Sequence, residues 1–302
     1  MSGALKIVRE RIVSVKSTQQ ITKAMKMVSA AKLKRAQDAI TQMRPYADRL
    51  NKMLVNILSN LEGGINSPLA AERDIQKVAI AVVTSSKGLA GAFNTNIIKA
   101  AVAKINTDYA EVRANGNLTI ICVGKKSYDY FRKEYSDCNI IDDYVDLFSN
   151  LDYKNLAKVS QMLMDEFASG NYDRIDVSYS KFKNAALQFA QCVQYLPVEN
   201  MEGTKAEEEA KGKNFKADYI FEPGKEELLN HLIPSILQTT FQKYVYDTHA
   251  SEHGARMTAM DNATENAEEL MKELKISYNK ARQEAITKEL AEIVGGAAAL
   301  GG

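Results

Sequence analysis

Apolar residues recur at alternating spacings of three and four positions through the first sixty residues of the chain. The series runs from Val8 to Val15 and again from Leu33 to Leu61. This spacing places the apolar side chains on one stripe of a helix, as in a coiled coil. It predicts a helix from about Ala4 to Leu61, which the pair Gly63-Gly64 would end.

Two interruptions of this stripe affect the interpretation. Pro45 stands inside it, and a proline within a helix costs about 3 kcal/mol or kinks the helix. Because the apolar spacing continues beyond Pro45, we expect a bend and not a break. The middle of the stripe is polar, and an apolar stripe appears one face over at Ile21, Met25 and Val28. This pattern indicates either a change of partner along the helix or a coiled-coil stutter.

A second long helix, from about Glu226 to Val294, shows the same spacing, and Pro234 is expected to kink it early. Because the middle of the chain is compact, the end of the first helix and the start of the second must lie near each other. The two helices can then run side by side only as an antiparallel pair.

Charge favours this pairing. Residues 1–52 carry 12 Lys and Arg against three acidic residues, a net charge of +9. Residues 222–294 carry 8 Lys and Arg against 13 acidic residues, a net charge of −5. Helices of opposite charge attract each other and discourage self-pairing. Two solvated helices with unrelated charge are the alternative.

The segment between the helices alternates strands and helices. It contains two continuous apolar runs typical of buried parallel strands, Val78–Val83 and Leu118–Val123. The other predicted elements are a third strand at Asn139–Val145, helices at Leu89–Ile105, Lys125–Lys133 and Leu156–Phe167, and a closing pair of strands at Ile175–Tyr179 and Leu187–Tyr195. Such alternation predicts βαβ units and a mostly parallel sheet.

The predicted fold class is therefore α/β. A long antiparallel coiled coil is formed by the N- and C-terminal helices, and a Rossmann-like α/β domain is inserted between them. The predicted domains are the N-terminal coiled-coil helix at 1–66, the α/β foot domain at 70–222, and the C-terminal coiled-coil helix with an apolar tip at 223–302.

Composition excludes several classes of protein. Cys122, Cys138 and Cys192 are odd in number and lack CxxC spacing, so we interpret them as reduced core thiols. Charged residues at Arg9–Arg11 argue against a signal peptide. No run of 18 apolar residues occurs, so we expect no membrane-spanning helix.

The search for a catalytic, cofactor or metal site gives little. The turn Gly88–Gly91 could cradle a phosphate, but it lacks G-x-G-x-x-G, and a tight strand-to-helix turn explains its glycines better. His249 and His253 could form half a metal site, but a polar helix face is the favoured interpretation. We therefore predict no cofactor, no metal and no active site in the chain.

The end of the second helix, from Ile293 to Leu300, is apolar and uncharged. An apolar tip on a soluble rod usually needs a partner that surrounds it. Fraying of a tail rich in small residues is the alternative.

Several segments, in order along nearly the whole chain, resemble the gamma subunit of F-type ATP synthase. They are ITKAMKMV at 21–28, RPYA at 44–47, GLAGAFN at 88–94, YIFEP at 219–223, ASEH at 250–253, RMTAM at 256–260 and YNKARQEAITKEL at 278–290.

The resemblance implies a central-stalk rotor. In that family the coiled coil turns inside a hexamer of three alpha and three beta subunits, while the foot contacts the epsilon subunit and the c ring. Proton-driven rotation of the ring makes the beta subunits cycle and form ATP, so the rotor is not itself catalytic. The resemblance implies one copy per complex, no nucleic-acid partner, and a peripheral place at the cytoplasmic face of the bacterial inner membrane, through the c ring.

The resemblance also implies three sets of contact residues. The residues expected to contact beta and transmit torque are Met25, Lys26, Lys32, Lys34, Arg35, Arg256, Arg282, Gln283, Thr287 and Glu289. Those expected to contact the c ring at the foot are Tyr219, Phe221 and Glu222, with Phe221 where other members can have Tyr. Those expected at the bearing tip are Ile293, Val294 and Leu300.

Three alternatives come from other classes of protein. A static coiled-coil scaffold with an inserted domain has the same spacing pattern. A basic arm that binds RNA would show steep salt dependence. A nucleotide-binding enzyme is disfavoured by the missing glycine fingerprint.

Overall fold

The computed structural model describes residues 3–58, 67–149, 151–198 and 225–300. The helices of this part are α1 (Gly3–Leu58), α2 (Phe93–Asp108), α3 (Ala110–Ala114), α4 (Lys125–Glu134), α5 (Tyr153–Ala168) and α6 (Lys225–Leu300). The strands are β1 (Val78–Val83), β2 (Leu118–Val123), β3 (Asn139–Ile141), β4 (Arg174–Phe182) and β5 (Gln188–Leu196). Short 3-10 turns lie at Pro68–Ala70 and Leu147–Ser149.

The chain divides into two compact units. The first, which we call the helical pair, comprises residues 1–31 and 256–302. The second, the α/β unit, comprises residues 32–255. Of the predicted domain boundaries, those at 66, 222 and 223 fall outside the described residues, and that division stays a prediction.

The α/β unit is built on a single sheet with strand order β3-β2-β1-β4-β5. Strand β1 pairs in parallel with β2 and β4, and β2 pairs in parallel with β3. Strand β5 returns antiparallel to β4 through a hairpin. The predicted mostly parallel sheet and its closing pair of strands are confirmed.

Both faces of the sheet are buried, which explains why the β1 run is apolar throughout. Val78, Ile80 and Val82 pack in a cluster with residues of α2 and α4. Ala79, Ala81 and Val83 pack on the other face with α5 and with residues of α1 and α6 inside the α/β unit. The terminal helices therefore supply part of the core of this unit.

Within the helical pair, α1 and α6 run antiparallel. The Oγ1 atoms of Thr22 and Thr264 lie 2.8 Å apart. One turn later along α1, Lys26 Nζ lies 2.5 Å from Oδ1 of Asp261, which comes earlier in α6. The antiparallel pairing predicted from spacing and charge is confirmed. Both α1 and α6 also continue as helix through the prolines inside them, Pro45 and Pro234.

Several element bounds differ from the predictions. Helix α2 begins at Phe93 and not at Leu89, because Leu89 and Gly91 have φ of 62° and 57° and cannot join a right-handed helix. Strand β3 ends at Ile141 and not at Val145, whose N–H donates to the Asp142 carbonyl in a turn. Helix α3 was absent from the prediction. The proposed helix stop at Gly63-Gly64 lies outside the described residues.

Candidate functional site

The part of α1 in the helical pair carries an apolar stripe that the chain leaves exposed. Ile21 and Val28 are 59% and 57% exposed, seven residues apart on one helix face. Ile7 continues this face, and Val13 and Met27 lie beside it. The predicted apolar stripe one face over from the seam is therefore present, and it is longer than the sequence pattern indicated. Such a surface is typical of a protein contact.

A second exposed apolar stripe lies on the last turns of α6. Ile286 and Leu290 are 48% and 57% exposed, and Ile293 and Val294 are both 67% exposed. Their spacings of four, three and one residues place them on one helix face. The uncharged tip is helical as far as Leu300. Of its described apolar side chains, Ile293 and Val294 are the large ones, and both are exposed.

The seam between α1 and α6 contains a polar layer that the sequence pattern alone did not pair. It consists of the Thr22–Thr264 hydrogen bond and the Lys26–Asp261 ion pair. Thr22 is buried, and its hydroxyl also lies 3.0 Å from the Gln19 carbonyl. Polar residues stand at corresponding positions in the apolar stripes of α1 and α6, and this was the signal that could have predicted the layer. Hydrogen-bonded polar residues in a coiled-coil seam favour one register over others.

On helix α1, the residues that are expected to contact the beta subunit lie in different surroundings. In the helical pair, Met25 is half-buried, and Lys26 is engaged by Asp261. In the α/β unit, Lys32, Lys34 and Arg35 are exposed, and Lys34 Nζ lies 3.3 Å from Asp38 Oδ1 one turn away. The basic side chains at 32–35 therefore point to solvent.

On helix α6, the residues that are expected to contact the beta subunit divide between buried and exposed positions. Arg256 is buried, with 7% of its surface exposed. The other four form an exposed polar surface beside the α6 apolar stripe: Arg282, Gln283, Thr287 and Glu289. The foot residues Tyr219, Phe221 and Glu222 lie outside the described residues. The structure does not test these contact roles, which stay predictions.

The glycine turn after β1 is a tight structural turn, as the sequence favoured. Asn94 Oδ1 accepts from the Ser85 N–H at 2.9 Å, and the Asn94 amide donates to Ser85 Oγ at 2.9 Å. This link ties the end of β1 to the first turn of α2. The P-loop-like run after β2 is also used internally, because the Ser127 N–H donates to Thr84 Oγ1 at 2.9 Å.

The histidines of α6 lie among polar residues, as the sequence favoured, but this part of the helix is largely buried. His253 is only 4% exposed, and its Nε2 atom lies 3.1 Å from that of His249. Among the described residues, no group of three or more His, Cys, Asp or Glu side chains is arranged to hold a metal ion. Cys122, Cys138 and Cys192 are free thiols, but only Cys122 has the predicted core position, since the other two are half-buried. In the described part of the chain, no helix is long and apolar enough to cross a membrane.

Comparison with known proteins gives the family. The family model described as ATP synthase matches residues 4–300. The ATP synthase gamma chain of Cytophaga hutchinsonii is 50% identical over 297 residues, which cover 98% of this chain and 99% of the relative. The ATP synthase gamma chain of Flavobacterium psychrophilum is 49% identical and covers 99% of each chain.

A solved structure has a related fold. A chain of the Euglena gracilis mitochondrial ATP synthase, solved with OSCP, F1 and the c-ring, matches with a TM-score of 0.65 at 23% identity. The match covers 99% of this chain and 95% of that one. Because the bacterial relatives are about half identical to this chain and align with it from end to end, the chain belongs to the family of ATP synthase gamma chains.

Proposed function

We propose that this chain is the central-stalk rotor of a bacterial F1Fo ATP synthase. It couples rotation of the membrane c ring to the conformational cycle of the catalytic beta subunits during ATP synthesis, and works in reverse during hydrolysis. One copy turns within a hexamer of three alpha and three beta subunits. The foot contacts the epsilon subunit and the c ring, so association with the cytoplasmic face of the membrane is peripheral.

The observation that carries this proposal is the pair of exposed apolar stripes on the helical pair. A helix that buries one face against its partner and still exposes apolar residues on another face needs a surrounding protein surface. Apolar contacts have few directional bonds, so such a surface can slide past its surroundings without breaking fixed hydrogen bonds. A static scaffold has no comparable need for an uncharged end at Ile293 and Val294.

We assign torque transfer to the charged and polar residues beside these stripes. Lys32, Lys34 and Arg35 would attract acidic side chains on beta, since exposed charges at close range attract without a fixed geometry. Arg282, Gln283, Thr287 and Glu289 would hydrogen-bond a beta loop, and Met25 and Arg256 would shape the surface between these groups. The non-catalytic character of the chain follows from this assignment, because ATP forms on beta.

The decisive experiment is purification of the complex from native membranes, with a tag in the exposed turn at Asn115-Gly116. Nothing lies within 4 Å of the Cβ position of Gly116, so a peptide inserted in this turn has room. We expect recovery of alpha, beta and the tagged chain in a 3:3:1 ratio. A bead fixed to the same turn should then rotate when ATP is added. Recovery of nucleic acid, or of a complex without ATPase subunits, would overturn the proposal.

A matched pair of variants tests the role of the α6 stripe. Leu290→Asp places a charge on the stripe, where the surrounding alpha and beta subunits would have to remove its water. Ile75→Asp places the same charge on an exposed residue of the α/β unit, 44% exposed and outside both stripes. We expect several-fold lower recovery of active complex for Leu290→Asp only. Equal recovery for the two variants would remove the stripe from the rotor interface.

A further inference from the structure

The rotor function leaves two histidines on α6 unexplained. His249 and His253 are one helical turn apart, and their Nε2 atoms lie 3.1 Å from each other. Their rings meet edge to face, with centroids 4.5 Å apart. Side chains at i and i+4 share a helix face, so the two Nε2 atoms meet beside the helix at hydrogen-bond distance.

An aromatic side chain of the α/β unit packs beside one of the two rings. The His249 ring lies 6.1 Å from the Phe148 ring, which comes from the 3-10 turn after β3. His253 is buried, whereas His249 is half-buried. The pair is therefore partly withdrawn from water and still reachable from the His249 side. A pre-arranged pair of this kind loses little side-chain entropy when it binds a third atom.

We propose that His249 and His253 form a two-histidine binding site for a late first-row divalent cation of the zinc and copper class. Imidazole nitrogens are the ligands that such ions prefer in proteins. A zinc ion would sit about 2.0–2.1 Å from each Nε2 atom. With the two atoms 3.1 Å apart, the N–Zn–N angle is then roughly 100°. That angle lies between the ideal octahedral and tetrahedral values.

Water completes the coordination shell in this proposal. Within the described residues no third His, Cys, Asp or Glu joins the pair to make a larger ligand set. The site thus resembles an exchangeable chelate more than a closed structural zinc centre. The His–His hydrogen bond requires a proton on one Nε2 atom, and binding requires both neutral rings to carry their proton on Nδ1. One ring therefore changes tautomer, its proton moving from Nε2 to Nδ1, and the neutral pair binds the ion without net proton release.

Copper and zinc titrations of the full-length chain test the site. Cu²⁺ bound at this pair should give an electron paramagnetic resonance spectrum with two nitrogen ligands, at one equivalent per chain. Zn²⁺ should raise the unfolding temperature, because a ligand that binds only the folded pair stabilises the folded state. His249→Gln and His253→Gln should each weaken binding about 10²-fold, since each removes one arm of the chelate.

His231→Gln is the matched control, because His231 is exposed on α6 and is not part of the pair. It should bind both ions as the unchanged chain does. Circular dichroism of each variant establishes that it is folded, and His249→Gln is the safer variant because His249 is less buried. Equal Cu²⁺ affinity in the unchanged chain and in both folded pair variants would overturn the proposal. So would the absence of a two-nitrogen spectrum in the unchanged chain.

Discussion

Lys26 Nζ on α1 and Asp261 Oδ1 on α6 form an ion pair at 2.5 Å inside the helical pair. The two side chains are 40% and 42% exposed, so water screens part of their attraction. The pair lies next to the Thr22–Thr264 hydrogen bond, and together these contacts make one polar layer in the seam. Because these four side chains are paired across the seam, they favour this register of the helices over others.

Reversing the charges of this pair should restore what either single reversal removes. Lys26→Asp or Asp261→Lys alone places like charges together, and each should destabilise the helical pair by about 0.5–1 kcal/mol. The double variant should recover most of that loss. The measurement is a double-mutant cycle from thermal unfolding at low and high salt. Additive losses in the double variant would contradict a direct interaction.

The sequence predicted the parts of this structure in which a pattern follows directly from burial. The runs Val78–Val83 and Leu118–Val123 match β1 and β2 at both ends, because a strand covered on both faces must be apolar throughout. The start of α2 was missed, since its position depends on the positive φ of Leu89, a residue that rarely adopts it.

The candidate site was predictable to a smaller extent. Resemblance supplied the contact residues, but it did not indicate that Lys26 already has an ion-pair partner in the chain. The sequence indicated the histidine pair but not its burial, because i,i+4 spacing describes only the helix. Burial of His253 depends on what packs against the helix.

Gly124 should be intolerant of any side chain. Its φ is +106°, and an added Cβ would lie 2.1 Å from the Thr84 carbonyl oxygen. Gly124→Ala should therefore lower the free energy of unfolding by about 3 kcal/mol or more, through strain and a backbone clash. Gly88→Ala is the control, because nothing lies within 4 Å of its Cβ position. Urea unfolding of both variants is the measurement, and equal midpoints would contradict this account.

A buried hydrogen bond between the residue that joins α2 to α3 and strand β4 should be costly to remove. Tyr109 donates its hydroxyl proton to Asp176 Oδ2 at 2.6 Å, and Asp176 is fully buried. Tyr109→Phe leaves that carboxylate oxygen without this donor, so it should destabilise the α/β unit by about 1–3 kcal/mol. Tyr130→Phe, on an exposed tyrosine, should change stability by less than about 0.5 kcal/mol. A similar loss in both variants, measured by thermal unfolding, would show that the buried bond contributes nothing special.

Strong alkali should unfold the α/β unit through its buried tyrosines. Burial raises the pKa of Tyr109, Tyr179 and Tyr195 above the ordinary value of 10.0. Because the folded state favours the neutral phenol, this contribution to stability is complete below pH 10.0 and is lost as the pH rises above it. Phenolate absorbance should show these three tyrosines titrating only as the helix signal is lost. Their titration in the folded protein near the ordinary pKa would contradict the prediction.

The three thiols should react slowly in the folded chain and in an order set by burial. Burial raises the pKa of Cys122 and Cys192 to about 12, and it also raises the pKa of Cys138. The thiolate is the reactive form, so Cys122 and Cys192 are almost entirely unreactive at about pH 8, and Cys138 reacts more slowly than an ordinary thiol. Cys122 is fully buried and should be alkylated last, whereas the other two are half-buried. Mass spectrometry after timed iodoacetamide treatment gives the order. In denaturant the three rates should become similar, and rapid native labelling of Cys122 would contradict its place in the core.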